Sequence, residues 1–127
     1  MNSLVNIYHD YLKCLNYQAL DELAKFVHEH VRYNGNDIGL IGYRSMLEQN
    51  FRDIPDLRFD AELLVADSNY LASRLRFNCS PIGTFMGLPI NGRRVQFAEN
   101  VFYQFEDDRI KEVWSVIDKA AIETQLR

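Results

Sequence analysis

Apolar residues recur at three- and four-residue spacing near the start of the chain. Leu4, Ile7, Tyr8, Tyr11, Leu12 and Leu15 fall on one side of a helical projection, and Ser3 stands where a capping hydroxyl is wanted. The spacing predicts an amphipathic helix over residues 3–16. A shorter helical turn is expected over residues 17–24, with Leu20, Leu23 and Ala24 on one side. The stretch "KFVHEHVRYNG" then reads as a strand that stops in a loop at Gly35. "LIGYRSMLEQNFRDI" returns to helical spacing through Ile41, Met46, Leu47, Asn50 and Phe51, and Pro55 ends it.

From Leu57 the period changes to two. Leu57, Phe59, Ala61, Leu63 and Val65 alternate with Arg58, Asp60 and Glu62, the pattern of a half-buried strand, and Asp67-Ser68-Asn69 supplies a hairpin turn. The next strand carries Leu71, Ser73, Leu75, Phe77 and Cys79 on one face and Ala72, Arg74, Arg76 and Asn78 on the other. "PIGTFMGLPING" reads as an irregular loop whose aromatic and methionine side chains suit the mouth of a pocket. "RVQFAENVFYQF" and "IKEVWSVID" read as two strands joined by a tight turn at "EDDR", and "KAAIETQLR" as a short closing helix. Helices first and antiparallel strands afterwards imply an α+β fold, with helices on one face of a curved sheet.

Length and charge narrow the function. The 127 residues suit a single domain spanning 1–127, long enough to bury a core without metal or disulfide. A formal charge of −4, with no basic run beyond pairs such as Arg93-Arg94, argues against nucleic acid as a partner. The opening "MNSLVNIYHDYLKCL" lacks a basic, then apolar, leader pattern and no window approaches a membrane span, so no membrane partner is implied and a cytoplasmic location is expected. Cys14 and Cys79 fit no paired or zinc-binding motif and read as small buried hydrophobes. His28 and His30 share a strand face, yet no third ligand is evident and His9 lies on a separate helix, so no metal site is expected. Ser45, Ser73 and Ser115 have no nucleophile-elbow context, and the glycine-rich loop has no phosphate-binding spacing.

The candidate chemistry lies in the last two strands. A turn on Asp107-Asp108 would pair Phe97 with Asp118, Glu99 with Val116 and Val101 with Trp114, gathering these six side chains on one face. Two carboxylates on an apolar face take diverging pKa values, which is what acid/base work needs. Arg74 and Arg76, on the polar side of a neighbouring strand, could pair with these acids or hold an oxyanion. Asp118 also precedes "KAAIETQL" and is well placed to cap that helix, Glu99 is also a natural ion-pair partner for an arginine, and Trp114 is either core or pocket wall.

In order and at family spacing, the "GTFMGLPINGRRV" loop, the "EDDRI" turn and the Trp-x-x-x-Asp of "EVWSVID" followed by Gln-Leu resemble the SnoaL-like polyketide (ester) cyclases of the nuclear transport factor 2-like superfamily. The resemblance covers most of the chain and is densest over residues 55–126. It implies a cone: a strongly curved antiparallel sheet wrapped round an apolar cavity and closed by about three helices. It further implies an intramolecular aldol-type cyclisation or related isomerisation of a small hydrophobic carbonyl compound, without cofactor. Asp118 would be the acid/base, with Glu99 or Arg74 tuning or orienting it. Trp114, Val116, Phe97, Val101, Tyr33, Phe85, Met86 and Arg76 are the candidate substrate contacts. The sequence departs from the family at Cys79-Ser80-Pro81, where many members carry Gly-Thr-His. Because the superfamily reuses its cone, two other readings stay open: an epoxide hydrolase-like or ketosteroid isomerase-like enzyme, and a non-catalytic module for hydrophobic ligands or dimerisation. A homodimer is expected, since a sheet face left uncovered by helices would expose an apolar patch.

Overall fold

The computed structural model describes residues 3–127; Met1 and Asn2, which open the stretch read as lacking a leader, lie outside the described residues. Helix α1 (Leu4–Asn16) starts where the Ser3 side chain accepts the Asn6 N–H and buries Ile7, Tyr8, Tyr11, Leu12, Cys14 and Leu15. A 3₁₀ helix (Leu20–Lys25) follows and leads into strand β1 (Val27–Tyr33). Asn34-Gly35 turns the chain into β2 (Asn36–Asp37), and α2 (Gly39–Asp53) then buries Tyr43 and Leu47. Gly39 is required where it stands: its φ is +64°, and a Cβ there would come within 3.2 Å of the Glu29 carbonyl oxygen. Asn16 ties the end of α1 to the sheet, accepting the Phe59 N–H at 2.7 Å and donating to the Phe59 carbonyl at 3.0 Å.

The sheet is built from β3 (Asp60–Asp67), β4 (Tyr70–Cys79), β7 (Val95–Glu106) and β8 (Arg109–Ile117), with β1 and β2 completing the order β2-β1-β8-β7-β4-β3. It is mixed rather than wholly antiparallel, because β1 runs parallel to β8. That pairing is open to β1 because the chain crosses the sheet between them instead of returning by a hairpin. The loop after β4 is partly ordered as a second hairpin, β5 (Thr84–Phe85) and β6 (Leu88–Pro89), turning on Met86-Gly87, both at positive φ. Helix α3 (Lys119–Gln125) closes the chain against β7, where Gln125 accepts the Gln96 N–H at 2.8 Å.

Helices α1 and α2 cover the inner face of the sheet. β4 keeps strict alternation, with Leu71, Ser73, Leu75, Phe77 and Cys79 buried as its period-two pattern predicts. β3 does not. A bulge between Ala61 and Leu63 shifts the phase by one residue, so Leu64 turns inward while Leu63 and Val65, expected in the core, point out and are each 58% exposed. A second bulge decides the site. At the Asp107-Asp108 turn Glu106 pairs with Arg109 and Phe105 with Ile110, but beyond it Gln104 pairs with Glu112, leaving Lys111 unopposed. From there Val101 faces Ser115, Glu99 faces Ile117 and Phe102 faces Trp114, one residue away from the expected pairing.

Candidate active site

Strand β7 sends Val95, Phe97, Glu99, Val101, Tyr103 and Phe105 to the inner face, so its period-two pattern places one carboxylate among five apolar or aromatic side chains. The bulge at Lys111 gives it Ser115 and Ile117 as neighbours, and Ser115 Oγ donates a hydrogen bond to Glu99 Oε2. Loss of solvent pushes the Glu99 carboxyl above the ordinary glutamate range, and the Ser115 hydroxyl opposes that shift only in part.

Glu99 lies where two pockets meet. The outer one, of about 130 Å³, is walled by Ile54, Leu57, Phe59, Phe77, Phe85, Phe97 and Ile117. The inner one, of about 40 Å³, runs toward the rings of Tyr11, Tyr43 and Tyr103. Tyr33, Met46, Asn50, Phe59 and Glu99 line both. Among the described residues Glu99 is the one carboxyl on either wall. The Asn50 side-chain amide, presented by α2, makes no hydrogen bond to another described side chain or backbone group and is free for a ligand oxygen.

Behind the inner pocket stands a tyrosine network. Tyr11 and Tyr43 share a hydrogen bond of 2.7 Å, and Tyr8 donates to Ser73 at 3.0 Å while its oxygen lies 3.1 Å from that of Tyr103. Burial raises the phenol of Tyr8 to about 12 and those of Tyr11 and Tyr103 well above their ordinary value. Tyr33 is raised as well, first by burial and then by the charge of Glu99. These phenols therefore stay neutral in ordinary solution, and they give the floor of the site hydroxyl groups without charge.

Of the residues picked from sequence, Glu99, Phe97, Val101, Tyr33 and Phe85 line these pockets. The others do not. Trp114, Val116 and Asp118 sit on the opposite face, at 40% and 70% exposure for the first two, because the bulge reverses the phase of β8. Asp118 caps α3, its Oδ1 accepting the Ala121 N–H at 3.1 Å. Arg74 faces outward, donating to Asn100 Oδ1 at 3.1 Å and lying 3.7 Å from Glu62, so it does not reach Glu99. Arg76 is exposed beside Asp60, Asn78 and Arg94, and Met86 is on the tip of the β5–β6 turn. Asn50, Ser115 and the inner tyrosines were missed. Asn50 had a visible signal, since it is the polar residue on the apolar stripe of α2.

A hollow of about 440 Å³ between α2 and the 3₁₀ helix is larger but shallow and charged. Both of its arginines are already engaged, Arg44 lying 2.9 Å from Asp21 and Arg52 donating to Gln49 Oε1 at 2.8 Å. No helix among the described residues is long and apolar enough to cross a membrane.

Three helices packed on a curved mixed sheet, with a carboxylate in an aromatic pocket between them, define a nuclear transport factor 2-like cone. The chain belongs to the SnoaL-like polyketide cyclase family, whose model matches residues 5–126. A SnoaL-like polyketide cyclase from Agrobacterium tumefaciens is 58% identical, with both chains covered over 100% and a TM-score of 0.99. TsrD from Streptomyces laurentii (22% identity, 94% of this chain and 91% of that one, TM-score 0.82) shares the fold. So does IdmH from Streptomyces antibioticus, at 18% identity, 98% and 99% coverage and a TM-score of 0.84. No curated protein matches the chain.

Proposed function

We propose that the protein is a cofactor-independent acid/base enzyme acting on a hydrophobic carbonyl compound, with Glu99 moving the proton. One observation carries the reading: a carboxyl raised by burial, held by the Ser115 hydroxyl, at the meeting point of two aromatic pockets. The ionised Glu99 takes a proton from the carbon next to the carbonyl, and the C–H electron pair becomes an enolate whose oxygen Asn50 can receive as a donor. Protonated Glu99 then gives the proton to the far carbon of a C=C double bond conjugated with the enolate, shifting that double bond in an isomerisation, or the enolate carbon attacks a second carbonyl of the same molecule, forming a C–C bond. In the second case protonated Glu99 returns its proton to the new alkoxide, and the enzyme ends as it began. The acid/base role that the resemblance gives Asp118 falls to Glu99 in this reading.

Exchange of α-hydrogen for deuterium in D₂O, followed by proton NMR on cyclohexanone as probe, tests the reading. The wild-type chain is expected to accelerate exchange and Glu99→Gln to lose that acceleration. Binding of the probe with no exchange above buffer would instead make the protein a binding module.

Two copies are proposed to associate through the outer sheet face. Leu63 and Val65 from β3, Phe102 from β7, and Trp114 and Val116 from β8 form an exposed apolar band across it, with no helix over them. A second copy of the same face offers the matching apolar surface by twofold symmetry. Light scattering on the eluting protein should give twice the chain mass, and a monomer at micromolar concentration would overturn this.

A further inference from the structure

The proposed acid/base reading leaves the substrate open, and the pocket walls restrict it. Resting on that reading, we infer that the substrate is a compound of a single ring or an equally short chain, carrying one polar end, and not a fused multi-ring polyketide. The reason is space. An apolar cavity of about 150 Å³ holds one benzene ring, whereas pockets for drug-sized ligands run to roughly 300–1,000 Å³. The outer pocket here is about 130 Å³, and the inner one adds about 40 Å³, room for little more than a substituent atom or two.

Polarity fixes which way round the molecule lies. Glu99 and Asn50 stand where the two pockets join, so the carbonyl and its acidic C–H belong there. The outer pocket, walled by Phe59, Phe77, Phe85 and Phe97, takes the apolar remainder. Phe59 and Phe77 meet edge to face at 5.5 Å, Phe77 and Phe97 stack at 5.2 Å, and Phe85 lies 5.7 Å from Phe97. Phe77 and Phe97 are buried on the sheet, Phe59 is buried just before β3 with its backbone held by Asn16, and Phe77 packs between the other two, so the three do not yield volume cheaply. Phe85 is different. It comes from the two-residue strand β5, whose hairpin is a separate two-stranded sheet, and it forms the wall between pocket and solvent. The size limit is therefore set at Phe85.

Three ketones of increasing size test this by binding, measured with saturation-transfer NMR and calorimetry: cyclohexanone, 1-tetralone and anthrone, with one, two and three fused rings. The wild type should bind cyclohexanone at least tenfold more tightly than anthrone, and Phe85→Ala should gain at least fivefold for 1-tetralone while its thermal unfolding stays cooperative. Equal or tighter binding of anthrone by the wild type overturns the size limit, as does failure of all three to bind. A Phe85→Ala chain that folds and gains nothing for the two-ring ketone removes Phe85 as the limiting wall. These readouts are independent of the acid/base reading, which fails separately if cyclohexanone binds and its α-hydrogens exchange no faster than in buffer or in Glu99→Gln.

Discussion

Asp118 and Glu99 can be separated by three substitutions, because the fold gives them different work. Asp118 holds the first turn of α3 through one exposed hydrogen bond, 3.1 Å from its Oδ1 to the Ala121 nitrogen, on a helix of seven residues that buries Ile122. Removing such a cap costs about 0.5–2 kcal/mol, and asparagine caps nearly as well as aspartate. An exposed single bond belongs in the lower part of that range, about 1 kcal/mol, which lowers the melting temperature of a chain this size by roughly 2–5 °C. Asp118→Ala should therefore melt a few degrees lower and exchange α-hydrogen at the wild-type rate. Asp118→Asn should be silent in both assays. Glu99→Gln keeps an acceptor for the Ser115 hydroxyl and so keeps the fold, but it removes the proton carrier, worth about 10²–10⁴-fold in rate. Calorimetry on the three variants and deuterium exchange on the same samples give the two readouts. A folded Asp118→Asn chain that loses exchange by a hundredfold, beside a Glu99→Gln chain that keeps it, would refute the assignment and the register beneath it.

The raised Glu99 pKa has a signed consequence for stability. The folded chain holds this proton more tightly than the unfolded chain, where glutamate titrates near 4.3, so its stabilising contribution is full below that pH and is lost as pH rises through the folded value. The unfolding free energy of wild type minus Glu99→Gln, from urea melts at stepped pH, should fall across that window; parallel curves would count against burial as the cause. If ionised Glu99 is the base, the exchange rate should rise with pH around a midpoint above the ordinary glutamate range and flatten in Glu99→Gln. Tyr11→Phe leaves the buried Tyr43 hydroxyl without its 2.7 Å partner and should cost about 1–3 kcal/mol. Tyr11→Phe/Tyr43→Phe should cost less than the two single changes added together, by on the order of 1 kcal/mol, and strict additivity in chemical melts would mean that the pair does not hold. Trp114→Glu, on the outer face, should convert the proposed dimer to monomer in light scattering without changing cyclohexanone binding.

Helix α1 was legible in the sequence because it is amphipathic in one phase, and α2 was legible in its second half, while Ile41 and Ala24, both read as facing the core, are exposed. The six buried residues of α1 lie on one stripe, and its cap and the proline after α2 mark where the pattern stops. β4 was legible for the same reason: after Tyr70 its outward positions are alanine, arginine and asparagine, so only one phase makes a core. The site was half legible. Glu99, Phe97 and Val101 follow from alternation on β7, and Tyr33 and Phe85 came with the family resemblance, whereas the residues taken from β8 were assigned to the wrong face. A bulge is one residue in length and carries no residue type of its own at Lys111, so alternation counted from the turn runs true to Ile110 and false after it.

The two places where phase failed share a property that explains both. In "ELLVA" on β3 and "VWSVI" on β8, apolar side chains occupy both phases, so neither could be rejected on polarity. A strand with one wet face does not need that composition; strands apolar on both sides are those covered on both sides. α1 and α2 cover the inner side, and the residues the bulges send outward, Leu63, Val65, Trp114 and Val116, collect on the other side with Phe102. The ambiguity that hid the register is thus an argument for what covers the outer face. The bulge on β8 has two linked effects: it brings the small, polar Ser115 inside to hold Glu99, and it places Trp114 and Val116 where a second copy can bury them. A chain that lost this bulge would exchange Ser115 for Trp114 beside Val101, filling the space around Glu99 and leaving Phe102 as the one ring of the outer band, so the site and the proposed assembly depend on one inserted residue.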